Sequence, residues 1–366
     1  MLRAGFSQGV TMAIASGVRD DELIRSGIER WLRNQAGAMD DGLGDAVVGP
    51  LTRPSAGLSS DTCFVSAAAK DGPTSEFVVR LPPAGDGLFP TYDLQQQVDI
   101  QNALARAGIP VPAPAVFEPD GWWLGAPFMV MPRVAGRVVT TNPSYVRSGW
   151  LADSSPADQQ RVMAEFLTTL ASVHRLDATA VDRGVVSAPD ATLAASFDAA
   201  SSYLDWAGAG TPIPGYLLDA RAWCGSHLPE PVGTASVLWG DVQLANCVFT
   251  DFGSVAALLD FELTGAGPAE MDLGWFFALH DMTAVTAGGD LAGFGDRASM
   301  VRTYEAALGR AVVSLEWYEM FGLMRSGAIM VRIARLLAAK GVDDSWLARG
   351  SPTEAALLRV RARLEK

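Results

Sequence analysis

One stretch of the chain, residues 238–273, constrains its fold more than any other. It reads LWGDVQLANCVFTDFGSVAALLDFELTGAGPAEMDL, and within it Asp241 precedes Asn246 by five residues. Two short apolar segments separated by a polar turn then follow, Cys247–Thr250 and Val255–Leu259. They predict a hairpin whose second strand ends at Asp260. An acidic strand end next to a loop with an acid and an amide indicates a site for a cation.

The spacing of Asp241 and Asn246 is that of the catalytic loop of protein kinases. In such a loop the aspartate accepts the proton of the substrate hydroxyl and the asparagine binds magnesium. One short loop has to aim a carboxylate at the nucleophile and an amide oxygen at the metal from the same side. Because magnesium prefers a few hard oxygen ligands together with nucleotide phosphates, Asn246 and Asp260 are the predicted metal ligands.

The letters Asp251-Phe252-Gly253 match the metal-binding motif of kinases, but we interpret them as a turn. They begin only five residues after Asn246 and lie between two apolar runs, where Asp-Phe-Gly-Ser is typical of a hairpin turn. The metal-binding aspartate belongs at the end of the following strand, where Asp260 stands. The alternative for the whole stretch is a strand, turn and strand with surface acids, since a lone D-x-x-x-x-N has little specificity.

Length and charge narrow the class of protein. A chain of 366 residues is too long for one typical core and favours two packed domains or lobes. Its 49% apolar and 19% charged residues argue against disorder. The formal charge of −13 repels phosphates at long range, so we expect neither nucleic acid nor an anionic membrane as a partner. The same charge would suit a cationic substrate, although acidity is also a common means of keeping proteins soluble.

The cysteines and histidines, three of each, are scattered along the chain. They form neither a disulfide framework nor a zinc-binding spacing, which is typical of proteins in a reducing compartment. The first residues contain no convincing signal peptide, and nowhere do 18 apolar residues follow one another. We therefore expect a cytoplasmic protein. We also expect a monomer or a homodimer.

The first third of the chain is predicted to be rich in strands, and the remainder mainly helical. Helices with one apolar face are predicted at residues 21–35 and 92–107. The segments predicted as strands are Ala46–Leu51, Thr62–Ala68, Glu76–Leu81 and Pro127–Met131. Beyond residue 135, helices are predicted at 156–174, 193–205, 214–227, 268–280, 298–308, 316–340 and 352–365. Capping boxes with a following proline begin two of them, at Ser155 and Ser351.

The stretch 238–273 resembles the signature of the aminoglycoside phosphotransferase family, which shares the protein-kinase-like fold. The family reads H-G-D-x-x-x-x-N, then an I-D-[WF]-E-like strand end, then G-x-P-x-x-D-L. This chain reads W-G-D-V-Q-L-A-N, then L-D-F-E, then G-A-G-P-A-E-M-D-L. The resemblance implies Asp241 as the catalytic base and Asn246 and Asp260 as magnesium ligands. It also implies that Asp272 braces the catalytic loop through backbone hydrogen bonds.

The resemblance extends to the first part of the chain, where it implies the nucleotide-binding residues. These are Gly57, Ser59, Ser60, Arg80, Gln97, Met131, Pro132 and Val134. A turn with Gly and Ser, at residues 55–62, would cover the phosphates, and Arg80 would grip them because guanidinium pairs well with phosphate oxygens. The chain after Pro127–Met131 matches the linker between lobes, whose backbone would meet the adenine. His174 matches the end of a family helix and is expected to be structural.

Two positions depart from the family pattern. Gln97 stands where the family has Glu, and its amide can hydrogen-bond Arg80 but cannot neutralise it. Trp239 stands where the family often has His and removes a hydrogen-bonding group beside the base. We expect Trp239, Glu262 and Asp272 to support the site structurally. Because phosphoryl transfer depends mainly on positioning and electrostatics around the metal, activity is compatible with both departures.

The predicted fold is α+β and bilobal, like that of protein kinases, with a small β-rich N-lobe and a larger helical C-lobe. We predict a helical extension at residues 1–38, a nucleotide-binding lobe at 39–133, and a catalytic and substrate-binding lobe at 134–366. The resemblance covers about residues 45–340 and leaves the first 38 residues outside it.

The predicted function is phosphorylation of a hydroxyl group on a small molecule, with Mg²⁺ and with ATP or GTP as the phosphate donor. The alternative is a nucleotide-binding pseudokinase with a regulatory role, suggested by the two departures. The glycines of residues 288–295 could also suggest a dinucleotide-binding enzyme. This interpretation is weak because no strand precedes them. An aminoglycoside would suit an acidic cleft. If the aromatic segments 203–216 and 273–282 line the substrate site, they favour a partly apolar substrate, but helix packing explains them equally well.

Overall fold

The structure is a computed structural model that describes residues 19–35, 43–54, 59–69, 73–178, 192–230, 234–342 and 351–365. The chain divides into two compact units, Met1–Ala135 and Gly136–Lys366. The predicted three-part division at residues 38 and 133 stays a prediction.

Unit 1 contains an antiparallel five-stranded sheet in the order β1-β2-β3-β5-β4. The strands are β1 Val47–Val48, β2 Asp61–Ala68, β3 Thr74–Leu81, β4 Val116–Glu118 and β5 Phe128–Pro132. The predicted strand at 46–51 was wrong in extent, since β1 ends at Val48; beyond it the N–H of Gly49 still donates to Ser66 at 2.9 Å, and an isolated bridge pairs Thr52 with Phe64. Pro50 lacks an N–H group and so cannot donate to the ladder.

Two helices of unit 1 pack on this sheet, α1 Asp21–Gln35 and α2 Leu94–Arg106. Ile24, Ile28 and Trp31 lie at helical spacing on α1 and are almost completely buried in one core with residues of the sheet. The Trp31 indole also donates a hydrogen bond of 2.9 Å to Glu118 of β4. The helix at 21–35 is therefore part of the core of unit 1, although it lies outside the family resemblance.

Unit 2 is mainly helical, as predicted. Its helices are α3 Pro156–His174, α4 Leu193–Ala207, α5 Gly215–Ser226, α6 Glu270–Ala287, α7 Arg297–Leu308, α8 Leu315–Ala338 and α9 Pro352–Leu364. Both predicted capping residues are confirmed, because Ser155 and Ser351 each accept a hydrogen bond from the backbone N–H three residues later. The predicted end of α6 at residue 280 was wrong, since the helix continues to Ala287 and stops at Gly288, whose φ is 73°.

Helices α6 and α8 pack so closely that their backbones touch. A Cβ atom on Gly274 would lie 2.5 Å from the carbonyl carbon of Tyr318, and one on Gly322 would lie 3.1 Å from the Cα atom of Trp275. Each glycine thus occupies a place that a larger residue could not fill without moving a helix. This approach fixes which side chains of α6 and α8 are neighbours.

Two small antiparallel sheets of unit 2 frame the catalytic motif. The predicted hairpin is confirmed as β7 Cys247–Phe249 paired with β8 Val255–Leu258. The second sheet joins β6 Ser236–Leu238 to β9 Gly265–Gly267 and was not predicted. Strands of three residues, one of them Gly-Ala-Gly, show no alternation of apolar and polar residues by which a sequence would reveal them.

Candidate active site

The predicted catalytic loop, residues 239–246 and called the catalytic loop below, begins where β6 ends and finishes in a 3₁₀ turn at Leu244–Asn246. Gly240 allows its sharp start, with a φ of 93° that side chains other than glycine rarely adopt. A Cβ atom here would also lie 2.0 Å from the carbonyl oxygen of Leu263. The glycine before Asp241 is therefore required both by its conformation and by the chain packed against it.

Asp272 holds the start of this loop through hydrogen bonds to its backbone. Its carboxylate accepts hydrogen bonds from the backbone N–H of Trp239 at 2.6 Å and of Gly240 at 3.1 Å. His174 Nε2 donates to the same carboxylate at 3.0 Å, and His174 Nδ1 lies 2.5 Å from the hydroxyl of Tyr304. With Nε2 protonated toward the carboxylate, Nδ1 accepts from the Tyr304 hydroxyl.

All members of this network, Asp272, His174 and Tyr304, are at least 97% buried. Each of the ring nitrogens and both carboxylate oxygens has a partner within hydrogen-bond distance. A buried polar network of this kind rigidifies the element it holds, because breaking any contact leaves a desolvated group. The expected backbone hydrogen bonds of Asp272 are present, and His174 has a structural place as predicted.

Asp241 is oriented by three side-chain donors. Gln243 Nε2 and Asn246 Nδ2 donate to its Oδ2 at 2.8 and 2.7 Å, and Trp275 Nε1 donates to its Oδ1 at 3.1 Å. Burial, and after it the charge of nearby Asp260, raise the pKa of Asp241 to about 6. A carboxylate with this pKa is mostly ionised at neutral pH and is a competent proton acceptor.

Asp260 is placed by hydrogen bonds to both backbone groups of the preceding residue, Leu259. The backbone N–H of Leu259 donates to the carbonyl oxygen of Asn246 at 2.8 Å, and the indole of Trp239 donates to the carbonyl oxygen of Leu259 at 2.8 Å. Asp260 itself has a φ of 63°, a left-handed conformation that is unfavourable for a residue other than glycine. The catalytic loop therefore holds the strand end in an unusual conformation.

Asn246 and Asp260 fit a magnesium ion. The amide nitrogen of Asn246 is engaged by the backbone and side chain of Asp241, at 3.0 and 2.7 Å, and none of the described residues donates to its amide oxygen. Asp260 is close enough to Asp241 to raise its pKa, so the site has an excess of negative charge that a divalent cation would relieve. An amide oxygen and a carboxylate are ligands that suit Mg²⁺.

The Asp251-Phe252-Gly253 segment is the turn of the β7–β8 hairpin, as predicted. Phe252 is 82% exposed, and Gly253 has a φ of 85°. The backbone N–H of Thr250 donates to the carbonyl oxygen of Ser254 across the turn at 2.9 Å. The resemblance of these letters to a kinase metal motif is therefore accidental.

The predicted nucleotide-binding residues belong to unit 1, and one of them, Gly57, lies outside the described residues. Arg80 is buried on β3 and donates a hydrogen bond of 2.8 Å to the hydroxyl of Ser60. Ser59 is also buried, at 8% exposure. The structure thus joins the basic residue of the third strand to the turn that precedes β2.

The remaining residues predicted to bind the nucleotide lie on or just after β5 and on α2. Met131 is buried against Leu94 and Val98, while Pro132 and Val134 are half-buried at and after the end of β5. Gln97 is buried, and its amide oxygen accepts no hydrogen bond from any residue that the structure describes. The hydrogen bond that its amide could form with Arg80 is therefore not made.

Trp275 and Gln243 contact the predicted base, yet neither was singled out from the sequence. Trp275 had appeared only within an aromatic segment that packing explained equally well. Its contact with Asp241 depends on how α6 meets the catalytic loop, a tertiary feature with no local sequence signal. Glu262 is half-buried two residues after Asp260.

With this geometry established, comparison with known proteins is informative. The model of the phosphotransferase enzyme family, APH, matches residues 50–318. This chain belongs to that family. The match spans most of the chain and includes the catalytic loop, the hairpin and Asp272, together with much of unit 1.

Solved structures agree on the fold. A Ralstonia eutropha protein described as a candidate aminoglycoside phosphotransferase matches with a TM-score of 0.66 and 20% identity, covering 93% of this chain and 95% of that chain. The GDP complex of aminoglycoside 2'-phosphotransferase-IIIa matches with a TM-score of 0.57 and 13% identity, covering 93% and 99%. The predicted α+β, protein-kinase-like fold is confirmed.

Curated relatives include acyl-CoA dehydrogenase family member 11 from Gallus gallus, 27% identical over 229 residues, and from Homo sapiens, 27% identical over 224 residues. These matches cover 60% and 57% of this chain but only 27% of each relative, so the chain spans about a quarter of their length.

Within the part of the chain that the structure describes, no helix combines the length and apolarity needed to cross a membrane.

Proposed function

We propose that this phosphotransferase transfers the terminal phosphate of ATP to a hydroxyl group of a small molecule and requires Mg²⁺. The observation that carries the proposal is the arrangement around Asp241. Three donors orient this carboxylate, and the loop that contains it also holds Asp260 through Leu259. An oriented base and a prearranged pair of metal ligands are what phosphoryl transfer demands of a protein.

In the reaction that we propose, the acceptor oxygen forms a bond to the terminal phosphorus as the bond from that phosphorus to the bridging oxygen breaks, and ADP leaves. Asp241 orients the acceptor hydroxyl and takes its proton. Asn246 and Asp260 would hold Mg²⁺, which neutralises charge on the phosphates when it is bound. Trp239, Asp272 and His174 keep the loop and the strand end in place.

The decisive measurement is Mg²⁺-dependent phosphate transfer from ATP, with GTP tested in parallel, to a panel of alcohols. Both nucleotides belong in the assay because one structural relative is a GDP complex and another is ADP-bound. We expect Asp241→Asn to lower turnover by about 10²- to 10⁴-fold, the usual contribution of a general base, without a comparable loss of nucleotide binding. Removal of Mg²⁺ with EDTA should abolish transfer, and added Mg²⁺ should restore it.

The matched control is Asp251→Asn in the hairpin turn, which removes the same type of group from the accidental kinase-like motif. Normal turnover in Asp251→Asn beside a large loss in Asp241→Asn supports the assignment. A large loss in Asp251→Asn, or an Asp241→Asn variant with full activity, would contradict it.

A second candidate function, a pseudokinase that binds a nucleotide without transferring phosphate, is favoured by Gln97. Its buried amide oxygen has no hydrogen bond, and it replaces the acid that the family pairs with the basic residue of the third strand. Tight nucleotide binding together with no turnover across the whole panel of alcohols would favour this candidate. Mg²⁺-dependent turnover of any alcohol would exclude it.

A further inference from the structure

Arg325 lies beside the catalytic base, separated from it by one indole ring. Its guanidinium carbon is 4.8 Å from the ring centroid of Trp275 and 5.7 Å from that of Phe321. The same Trp275 ring donates its N–H to Asp241 at 3.1 Å. A half-buried cation therefore stands next to the place where the acceptor hydroxyl must lie in the proposed reaction.

The position of Arg325 is fixed by the close packing of α6 and α8. Phe321 and Arg325 are four residues apart on α8 and so share a face of the helix. Gly322, between them, lies against the backbone at Trp275, where an added Cβ atom would be 3.1 Å from the Cα atom, so the two helices are in close contact at this point. The stack of Arg325 on Trp275 is thus built into the helix pair.

Four other arginines of unit 2 that are partly withdrawn from water have acceptors for their N–H groups. Arg310 donates to both oxygens of Glu270, at 2.5 and 3.0 Å, and Arg335 donates to two backbone carbonyls at 2.9 Å each. Arg297 and Arg363 both bind Glu319. In these cases a buried guanidinium is neutralised or hydrogen-bonded, as such groups generally are.

Arg325 differs from these four arginines, because no described residue accepts a hydrogen bond from it and no described carboxylate lies within ion-pair distance. Burial lowers the pKa of its guanidinium, against the opposing charges of Asp272 and Asp241. The group nevertheless stays charged at neutral pH. Aromatic rings attract the cation through their faces but accept none of its N–H groups in the way an oxygen does.

We propose that Arg325 binds an oxyanion of the acceptor substrate, a carboxylate or a phosphate, so that the acceptor is an anionic alcohol. The inference rests on the proposed function and adds the charge of the substrate to it. Guanidinium matches either oxyanion with two parallel hydrogen bonds, and the Trp275 ring spaces that anion from the hydroxyl bound at Asp241. A polycationic aminoglycoside would instead place like charge against Arg325.

The acidity of the whole chain does not argue against an anionic substrate. A net charge of −13 affects the rate at which an anion approaches, and salt screens this long-range effect. Affinity is set by the groups in contact, where a half-buried guanidinium without an acceptor gains more from an oxyanion than an exposed one would.

The test uses matched pairs of alcohols that differ in one anionic group. Glycerol 3-phosphate is compared with glycerol, and 3-hydroxybutyrate with its methyl ester, in the Mg²⁺-dependent transfer assay with ATP. We expect the anionic member of at least one pair to have a kcat/KM about 10- to 100-fold above its partner, as for a charge-assisted bidentate contact. Which pair responds distinguishes phosphate from carboxylate.

In Arg325→Gln the preference for the anionic member should disappear, because its KM rises about 10- to 100-fold while the neutral partner is unaffected. The KM for ATP should stay within about 2-fold of the original value. Arg325→Lys keeps the positive charge but loses the planar guanidinium. Its preference for the anionic member should lie between those of the original protein and Arg325→Gln. Arg302→Gln, an exposed arginine of α7, is the control, and thermal unfolding checks that each variant is folded.

Preference for the neutral member of both pairs, or a rise in the KM for ATP in Arg325→Gln with an unchanged KM for the acceptor, would overturn the inference and leave the kinase function standing. If no alcohol is turned over, the proposed function fails, and calorimetric binding of the same pairs decides the anion site. Selective binding of the anionic members that is lost in Arg325→Gln supports an anion site at Arg325. If the anionic members bind no better than their neutral partners, or do not bind, the anion site is overturned.

Discussion

The catalytic loop of unit 2 and the Arg80–Gln97 region of unit 1 differ in how completely their buried polar groups are hydrogen-bonded. In the loop, both carboxylate oxygens of Asp241 and of Asp272 accept hydrogen bonds. In unit 1, the buried amide oxygen of Gln97 has no hydrogen-bond donor among the described residues. The contrast indicates that the protein's own contacts preorganise the loop, whereas they leave a polar group unsatisfied among the residues predicted to bind the nucleotide.

The difference has an energetic side. An unsatisfied buried acceptor costs about 1–3 kcal/mol, whereas a fully connected network resists any change in its members. A catalytic loop profits from rigidity because the base and metal ligands must be held in position before the reaction begins. Substitutions in the two regions should therefore differ in their effects on stability and activity. We expect large losses in the loop, and small losses or gains around Gln97.

The largest effect is expected for Asp272→Ala, which deprives two backbone N–H groups and His174 of their acceptor. Removal of one partner from a buried, charged network costs about 3–5 kcal/mol of unfolding free energy. Turnover should fall as well, since the loop that carries Asp241 loses its support. Urea denaturation and the transfer assay measure the two effects.

The control for Asp272→Ala is Asp290→Ala, because Asp290 also contacts a histidine, His280 Nε2, at 2.7 Å but is less buried. This variant should lose less stability and keep its turnover. An Asp272→Ala protein no less stable than Asp290→Ala would show that the network is not what holds the loop.

A smaller effect is expected for Trp239→Phe. It removes the indole hydrogen bond to Leu259 and should cost about 1 kcal/mol of stability, the net value of a typical hydrogen bond. Turnover should fall more than this stability loss alone explains, because Asp260 is no longer held in its left-handed conformation. A higher Mg²⁺ concentration for half-maximal activity would be the specific sign.

Trp150→Phe is the matched control, since the Trp150 indole also donates to a backbone carbonyl, that of Val138 at 2.8 Å. Its loss should leave the Mg²⁺ dependence unchanged. Equal shifts in the Mg²⁺ dependence of both variants would contradict a special role for Trp239. The departure of Trp239 from the family pattern would then be incidental; on the contacts described above, it supplies a hydrogen bond of its own.

The two regions also differ in what their sequences reveal. The hairpin, the turn at Asp251-Phe252-Gly253 and the strand end at Asp260 could be predicted because local spacing and turn chemistry determine them. The backbone hydrogen bonds of Asp272 were expected only through the resemblance to a family. In each case the informative residues are close together in the chain or belong to a compact motif.

The contacts of Trp275 and Arg325 with the site could not be predicted, because they arise where α6 meets α8. Helical periodicity places both residues on apolar faces, and such faces are explained by packing as well as by function. The two glycines that bring the helices together, Gly274 and Gly322, read in the sequence only as weak points of a helix. Their role becomes visible when the neighbouring backbone is known.

The smallest effect, a change in the KM for ATP, is expected for Gln97→Glu. The substitution restores on α2 the acid that the family pairs with the basic residue of the third strand. If the missing pair limits nucleotide binding, the KM for ATP should fall by about 2- to 10-fold, as for a charge-assisted hydrogen bond that is partly offset by desolvation.

Gln97→Met is the control, since it has nearly the same shape and removes the unsatisfied amide without adding charge. It should raise stability slightly and leave the KM for ATP unchanged. A Gln97→Glu protein with weaker ATP binding would mean that a second charge is not tolerated at this place. Nucleotide binding in this chain would then be tuned to a neutral residue, and the difference between the two regions would be a property that the protein uses.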